Sequence, residues 1–412
     1  MSKRVYLVFF SLIISCIGYG QERGLQYYID KGISNNPLLN DLNNQALSTR
    51  IDSQQLKSLY RPQVSLTSNN FYAPVINGYG YDAAITNIGS YSSLVNVDQQ
   101  FVGKRNLKTQ YETVKLQVDS IGNEKKLTEQ DLKRNITNQY ITAYGDLQQL
   151  LYYTQVHVLI TQEDSILKKL AENNVYRQTD YLTFLVTLQQ QELQIKQLHI
   201  QFQTDLSTLN YLCGIYDTTG VVLATPDITV SDATDAVTSI FYHKYFVDSL
   251  LLSNSVSLLN YSYRPKVNAF ANAGYYSSLL YQPYKNFGAG IGLNLTMPIY
   301  DGHLRKQRSK KIALEQNTVS GYRDFFNMQY NQQLAQLRQQ LRSTESMIND
   351  INEQIKYSEA LINVNGKLLT TGDAKIPDFI IAINNYLTAK NLLTQNKISK
   401  LQIINQINYW NR

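Results

Sequence analysis

Few side chains in this 412-residue sequence are spaced for chemistry. The four histidines, His157, His199, His243 and His303, are scattered, without ligand spacing or a partnering cysteine, which argues against a metal centre. Gly288-Ala289-Gly290 falls inside an alternating segment, not at a strand-to-helix turn where a glycine loop could cradle phosphate, and no nucleophile elbow is present. The carboxylates Asp180 and Asp378 are the sharpest candidates, each within a turn of the start of a helix that follows a break. A negative charge there stabilises the helix end. Neither an enzyme nor a cofactor is expected.

Composition sets the surroundings of these residues. Lys3 and Arg4 precede an apolar run from Val5 to Ile14, and Gly18-Tyr19-Gly20 supplies small residues before Gln21. This is a secretory signal peptide over residues 1–20. A competing reading of Ile13-Ile14-Ser15-Cys16 is a lipoprotein processing box, with Cys16 as a lipidated N-terminus. After cleavage at Gly20 the formal charge falls from +6 to +4 and only Cys213 remains, so no disulfide framework forms within one chain. No basic cluster with interleaved aromatics points to nucleic acid. No later window is long and apolar enough for a membrane helix. The 32 Tyr, against 13 Phe and one Trp, suit a surface half apolar and half wet.

The elements that must position these residues are written twice. Tyr60-Arg61-Pro62-Gln63-Val64 returns as Tyr263-Arg264-Pro265-Lys266-Val267; Gln100-Phe101-Val102-Gly103-Lys104 returns as Ile299-Tyr300-Asp301-Gly302-His303; Leu170 with Asp180 returns as Leu368 with Asp378. The first repeat covers 21–213, a connector 214–238, and the second repeat 239–412. Each begins with a helical stretch, about Asn40 to Leu59 and Phe246 to Tyr261, ended by the proline. Two strands follow, about 63–75 and 88–101, then 266–278 and 288–300. In the fourth, Ala289, Ile291, Leu293, Leu295 and Met297 alternate with Gly290, Gly292, Asn294 and Thr296, a strand with one face in an apolar medium. The third alternates likewise, except that Phe270 intrudes on its polar face; the first two alternate more weakly. Long proline-free helices over 103–172 and 302–370 each reach roughly 100 Å at 1.5 Å per residue. The second carries a seven-residue seam of Leu334, Leu341, Ile348, Ile355, Ile362 and Leu369, partnered by Leu337 and Ile351 and interrupted by Thr344 and Ser358. After a break, helices of about 180–212 and 378–409 complete the repeats.

Four strands cannot close a barrel, and open edges cannot face lipid. Three chains would close a twelve-stranded barrel. The ordered, duplicated set of Tyr-Arg-Pro corners, Pro298-Ile299-Tyr300-Asp301-Gly302 and the Gly372…Asp378 turn resembles the TolC-type outer-membrane factor family. The resemblance implies an α+β membrane protein: a homotrimer in which a duplicated long-helix and β-hairpin unit builds a 12-stranded outer-membrane barrel continued by a periplasmic α-helical barrel. It further implies an exit duct of a tripartite efflux or type I secretion system, gated at its periplasmic tip, with outer-membrane lipid, a periplasmic adaptor and an inner-membrane transporter of RND or ABC type as partners. The alternatives are a periplasmic adaptor with long helical hairpins and a surface-adhesion stalk.

Within that frame, Asp378 and Asp180 are aperture candidates. Family members often carry a second Asp three residues on, where this chain has Ile381. Asn173, Asn174, Gly372 and Asp373 mark the adaptor-docking tip. Arg61-Pro62 and Arg264-Pro265 form helix-to-strand corners, the arginines capping helix-end carbonyls. Gly103 and Gly302 permit the return from strand to helix. Tyr72, Tyr91, Tyr275, Tyr276, Tyr281 and Tyr284 form a membrane-interface belt, or are exposed loop tyrosines.

Overall fold

The computed structural model describes residues 23–82, 89–216, 221–232, 235–278 and 283–412. The signal segment, Cys16 and Tyr281 lie outside the described residues. Two compact units arise from interleaved stretches of chain: one holds residues 41–125 and 241–326, the other the residues before 41, 126–240 and 327–412.

The first unit is built on a four-stranded antiparallel sheet. Helix α2 (Pro37–Leu59) leads into β1 (Gln63–Tyr72), which pairs with β2 (Gly89–Phe101); α5 (Ile240–Ser262) leads into β3 (Lys266–Ser277), which pairs with β4 (Phe287–Thr296). Strand order is β1-β2-β3-β4, so the two hairpins of the two repeats join through β2 and β3. All four strands are where the alternation places them. Both edges differ by a few residues: β1 stops at Tyr72, and β4 stops at Thr296, before Pro298 removes a donor.

The second unit is helical. Helix α1 (Leu25–Asn35), absent from the sequence expectation, ends beside Asn36, whose Oδ1 accepts from the amides of Leu38 and Leu39 and so caps the start of α2 ahead of Pro37 at its first position. Helices α3 (Lys104–Glu172) and α6 (Leu304–Thr371) contribute to both units; α4 (Gln178–Leu212) and α7 (Ile376–Trp410) belong to this one. One core cluster joins Ile160, Leu167, Phe184, Ile362, Leu369 and Phe379, one residue set from each of four helices. Another packs Tyr28 of α1 on Ile136, Tyr140, Phe202 and Leu209. The seam of α6 is buried at Leu334, Leu337, Ile351, Ile355, Ile362 and Leu369. Its expected interruption at Ser358 is buried too, because the hydroxyl donates back to Gln354 O at 2.9 Å. The connector is tied down: Asn408 binds Thr229 O and Ser231 N, and Tyr140 OH donates to Arg23 O and Ala224 O.

Candidate functional site

Register decides which side chains share a face of the sheet. Val64 opposes Val97, Leu66 opposes Val95, Val95 opposes Ala273, and Ala269 and Ala271 oppose Leu293 and Ile291. These residues therefore lie on one face across all four strands, together with Val267 and Leu295. Among the described residues they stay exposed or half-exposed: Leu293 is 76% exposed and Ile291 90%. The opposite face carries Thr67, Asn69, Asn96, Asp98, Asn268, Asn272 and Asn294. Two serines on the apolar face, Ser68 and Ser93, satisfy each other at 3.0 Å. Phe270 belongs to the polar face, as its intrusion implied, and its ring lies over Gly292, so a side chain there would require the ring to move.

The tyrosines divide. Tyr72, Tyr91 and Tyr275 fall on the apolar face at its loop end, with Phe287 directly opposite Tyr275 and the two rings 5.9 Å apart. Tyr276, expected in the same belt, points to the polar face, because a side-chain period of two puts it one residue out of step. Tyr284 lies in a short 3₁₀ turn beside β4, with Lys285 over its ring.

The corners repeat as the duplication requires. Arg61 N donates to Ser58 O and Arg264 N to Tyr261 O, each ahead of its proline. Among the described residues each arginine meets a helix-end carbonyl through its backbone N–H. The Ser58 carbonyl is taken by Gln63 Nε2 at 2.9 Å, and Arg264 stacks 4.7 Å over Tyr261. Gly302 has φ +65°, the left-handed region that favours glycine. Gly103 lies outside that region and a methyl group there would meet nothing within 4 Å, so neither conformation nor space demands glycine. The start of α6 is held by Asp301, whose Oδ2 accepts from Tyr263 OH at 2.6 Å and Arg305 N at 2.7 Å; these bonds hold its carboxyl below the usual range.

The two breaks in the helical unit are the same motif. Val175 N donates to Leu170 O across Asn174 at φ +58°, and Asp373 N donates to Leu368 O across Gly372 at φ +82°, both at 2.9 Å. This is the Schellman ending of a helix, with its left-handed residue as Asn in one repeat and Gly in the other. Asn173 and Asn174 are exposed, as is Asp373, which accepts from Thr371 Oγ1 at 2.7 Å. Sequence inspection missed Tyr176: its hydroxyl donates to Leu369 O and Ala374 O, clasping one break to the other, and the second repeat has Ala374 at that offset. Helices α4 and α7 start at Gln178 and Ile376, two residues earlier than expected, so Asp180 and Asp378 both occupy the third helical position. Neither N-cap residue, Arg177 or Lys375, makes a side-chain cap, so each carboxylate is the only acidic group in its first turn. Asp378 is exposed and Asp180 half-buried.

A further acidic pair was not legible in the sequence. Asp146 of α3 buries Oδ2 with no protein donor beside Asp205 of α4, which accepts from Gln139 and Gln201. Burial, then the hydrogen bond and repulsion from Asp205, push Asp146 up to about 7. Burial likewise pushes the Cys213 thiol up to about 12, an inert core group. The histidines sit on separate elements: His157 on α3, His199 on α4, His243 on α5 near Asp119, and His303 ahead of α6.

No family model matches the chain, and no curated protein matches it by sequence. Solved structures do match in fold. A structure of CusC, described for folding and transmembrane channel formation, superposes with TM-score 0.80 at 10% identity over 95% of this chain and 93% of that one. The outer membrane protein VceC of Vibrio cholerae gives 0.76 at 12% identity over 94% and 96%. The open state of the MtrE outer membrane channel of Neisseria gonorrhoeae gives 0.77 at 10% over 94% and 88%. Helices with a small antiparallel sheet, in this order, are the fold of those outer-membrane channels.

Proposed function

We propose that this protein is the outer-membrane exit duct of a tripartite efflux or type I secretion system, a passive channel assembled from three chains. The observation that carries the reading is the exposed, largely apolar face of the four-stranded sheet, mostly polar on its other side, with β1 and β4 at its two edges among the described residues. Lipid is the medium that rewards such a face, and lipid tolerates no open edge. Strands β1 and β4 run in opposite directions, so β4 of one copy can pair antiparallel with β1 of the next. Twelve strands are then an even, closed set. Tyr72, Tyr91, Tyr275 and Phe287 become the aromatic girdle, and the Asn-rich face lines the lumen.

The helices continue the duct into the periplasm. The twin breaks at Asn173–Asn174 and Gly372–Asp373 form the tip that docks a periplasmic adaptor, which links the duct to an inner-membrane transporter of RND or ABC type. Three copies of Asp378, with Asp180 beside them, ring the closed tip as a gate. Ile381 supplies no second charge, so the ring is single. The polypeptide performs no chemistry; energy comes from the transporter. A periplasmic adaptor would have no use for an exposed apolar sheet face, and the fold neighbours, outer-membrane channels by name, support the duct.

Electrophoresis of the detergent-extracted protein tests the assembly. A duct migrates as a trimer without heating and as a monomer after boiling; an adaptor or stalk shows no heat-dependent barrel. Monomeric migration under both conditions refutes the proposal.

A further inference from the structure

The chain concentrates net positive charge at one margin of the sheet. By register, the starts of β1 and β3 and the ends of β2 and β4 share one margin of the sheet, where α2, α3, α5 and α6 begin or end. The stretches 50–61, 104–115, 250–266 and 301–315 that meet there hold fourteen Lys and Arg against four Asp and Glu. The whole sequence has 38 against 32. This collar therefore accounts for the entire positive excess, and the remainder of the chain is net negative. The stretches of sequence joining β1 to β2 and β3 to β4, residues 73–88 and 278–286, hold only Asp82 and Lys285 as charged residues.

Internal pairing neutralises little of it. Among the described residues, Lys115 meets Glu112 at 3.5 Å and Lys311 meets Glu315 at 3.9 Å, both highly exposed pairs. Arg305 donates to Asn260 and stacks on Tyr263. Lys104, Arg105, Lys108, Lys306, Arg308 and Lys310 are exposed and join no ion pair among the described residues. All lie within about two turns of the start of a helix that follows a strand, roughly 10 Å of rise along its axis. A groove of about 670 Å³ between α2 and α3 sets Arg50, Lys104, Lys108 and Lys115 around Leu107 and Val114. Cation beside hydrocarbon, at a membrane boundary and on one side only, is the arrangement that recognises an anionic amphiphile. A soluble anion would need neither the apolar floor nor the placement.

We propose that this collar binds the phosphodiester headgroups of anionic phospholipids in the leaflet nearest the helices, fixing the depth of the barrel. The inference rests on the barrel reading above. Lipid phosphates stay in the plane of the collar, Arg can engage them bidentately and Lys as a point charge. They also relieve the repulsion among cations crowded onto one rim.

The test uses the full chain in bilayer nanodiscs of phosphatidylethanolamine, alone or with a minor fraction of phosphatidylglycerol. Lipid retained on detergent extraction is read by native mass spectrometry. The native chain is expected to retain phosphatidylglycerol enriched severalfold over the bulk ratio. Both Lys104→Gln/Arg105→Gln/Lys108→Gln and Lys306→Gln/Arg308→Gln/Lys310→Gln should cut the enrichment, while Lys196→Gln/Lys367→Gln/Lys397→Gln, far along the sequence from the collar, should not. A heat-modifiable barrel whose retained lipid matches the bulk ratio overturns the collar alone. So does release of lipid by inorganic phosphate but not by chloride of equal ionic strength, which assigns a soluble-anion site. A chain that forms no barrel in either lipid overturns the barrel reading and the collar with it.

Discussion

Leu293 and Asn294 are neighbours on β4, and reversing their chemistry tests the membrane face directly. Leu293 opposes Ala269 on the apolar face and Asn294 opposes Asn268 on the polar one. Leu293 lies near the middle of the ten-residue strand and is 76% exposed in the single chain, so a longer side chain there has open space. A change confined to packing would therefore be mild for Leu293→Arg. Facing lipid near the midplane, an arginine costs about 2–4 kcal/mol per chain. At 1.4 kcal/mol per tenfold, that lowers the folding equilibrium by between ~25- and ~700-fold per chain, compounded if three chains assemble together. Asn294→Arg places the same group in water and should change stability by less than about 1 kcal/mol. Equilibrium unfolding in lipid vesicles, alongside trimer yield in isolated outer membranes, measures both. Equal behaviour of the two variants, or normal yield of Leu293→Arg, would sink the assignment of faces and the barrel built on it.

Two other expectations follow from the helical unit. Asp378→Asn should weaken divalent-cation block of single-channel conductance in planar bilayers while changing stability by only ~0.3–1 kcal/mol, the worth of one charge at a helix start; block identical to the native channel means that Asp378 only stabilises its helix. Asp146, ordinarily 3.8 and raised to about 7, holds a proton in the folded chain that the unfolded chain releases between about pH 4 and 7. Stability therefore falls as pH rises through that window and is level above it. Burial raises Asp205, but hydrogen bonds from Asp146, Gln139 and Gln201 outweigh that and hold it low, an effect felt only below the same window. Asp146→Asn should remove the slope and leave the protein more heat-stable at pH 8; thermal unfolding at pH 5 and pH 8 decides it, and a slope unchanged by the substitution refutes the shared proton.

What was legible in the sequence was whatever depends on periodicity and backbone chemistry. Alternation along Ala289–Met297 marked a strand with unlike faces, Pro62 and Pro265 ended helices, and the offset from Leu170 to Leu368 announced that both breaks share one design. Such signals are local, and duplication doubles them. Even so, the first residue of α4 and α7 was missed by two positions, because the Schellman turn closes faster than Asn174 and Gly372 alone suggest. The rest needed partners distant in sequence. At Ser58 O the side-chain donor is Gln63, beside the backbone N–H of Arg61. Tyr176 reaches carbonyls nearly two hundred residues away, and Asp146 owes its proton first to burial by packed helices and then to Asp205, 59 residues on. A side chain's face and repeat can be read from its own segment; its hydrogen-bond partner and dielectric surroundings exist only once remote segments pack, and those decided which polar groups are clasped, protonated or left for lipid and water.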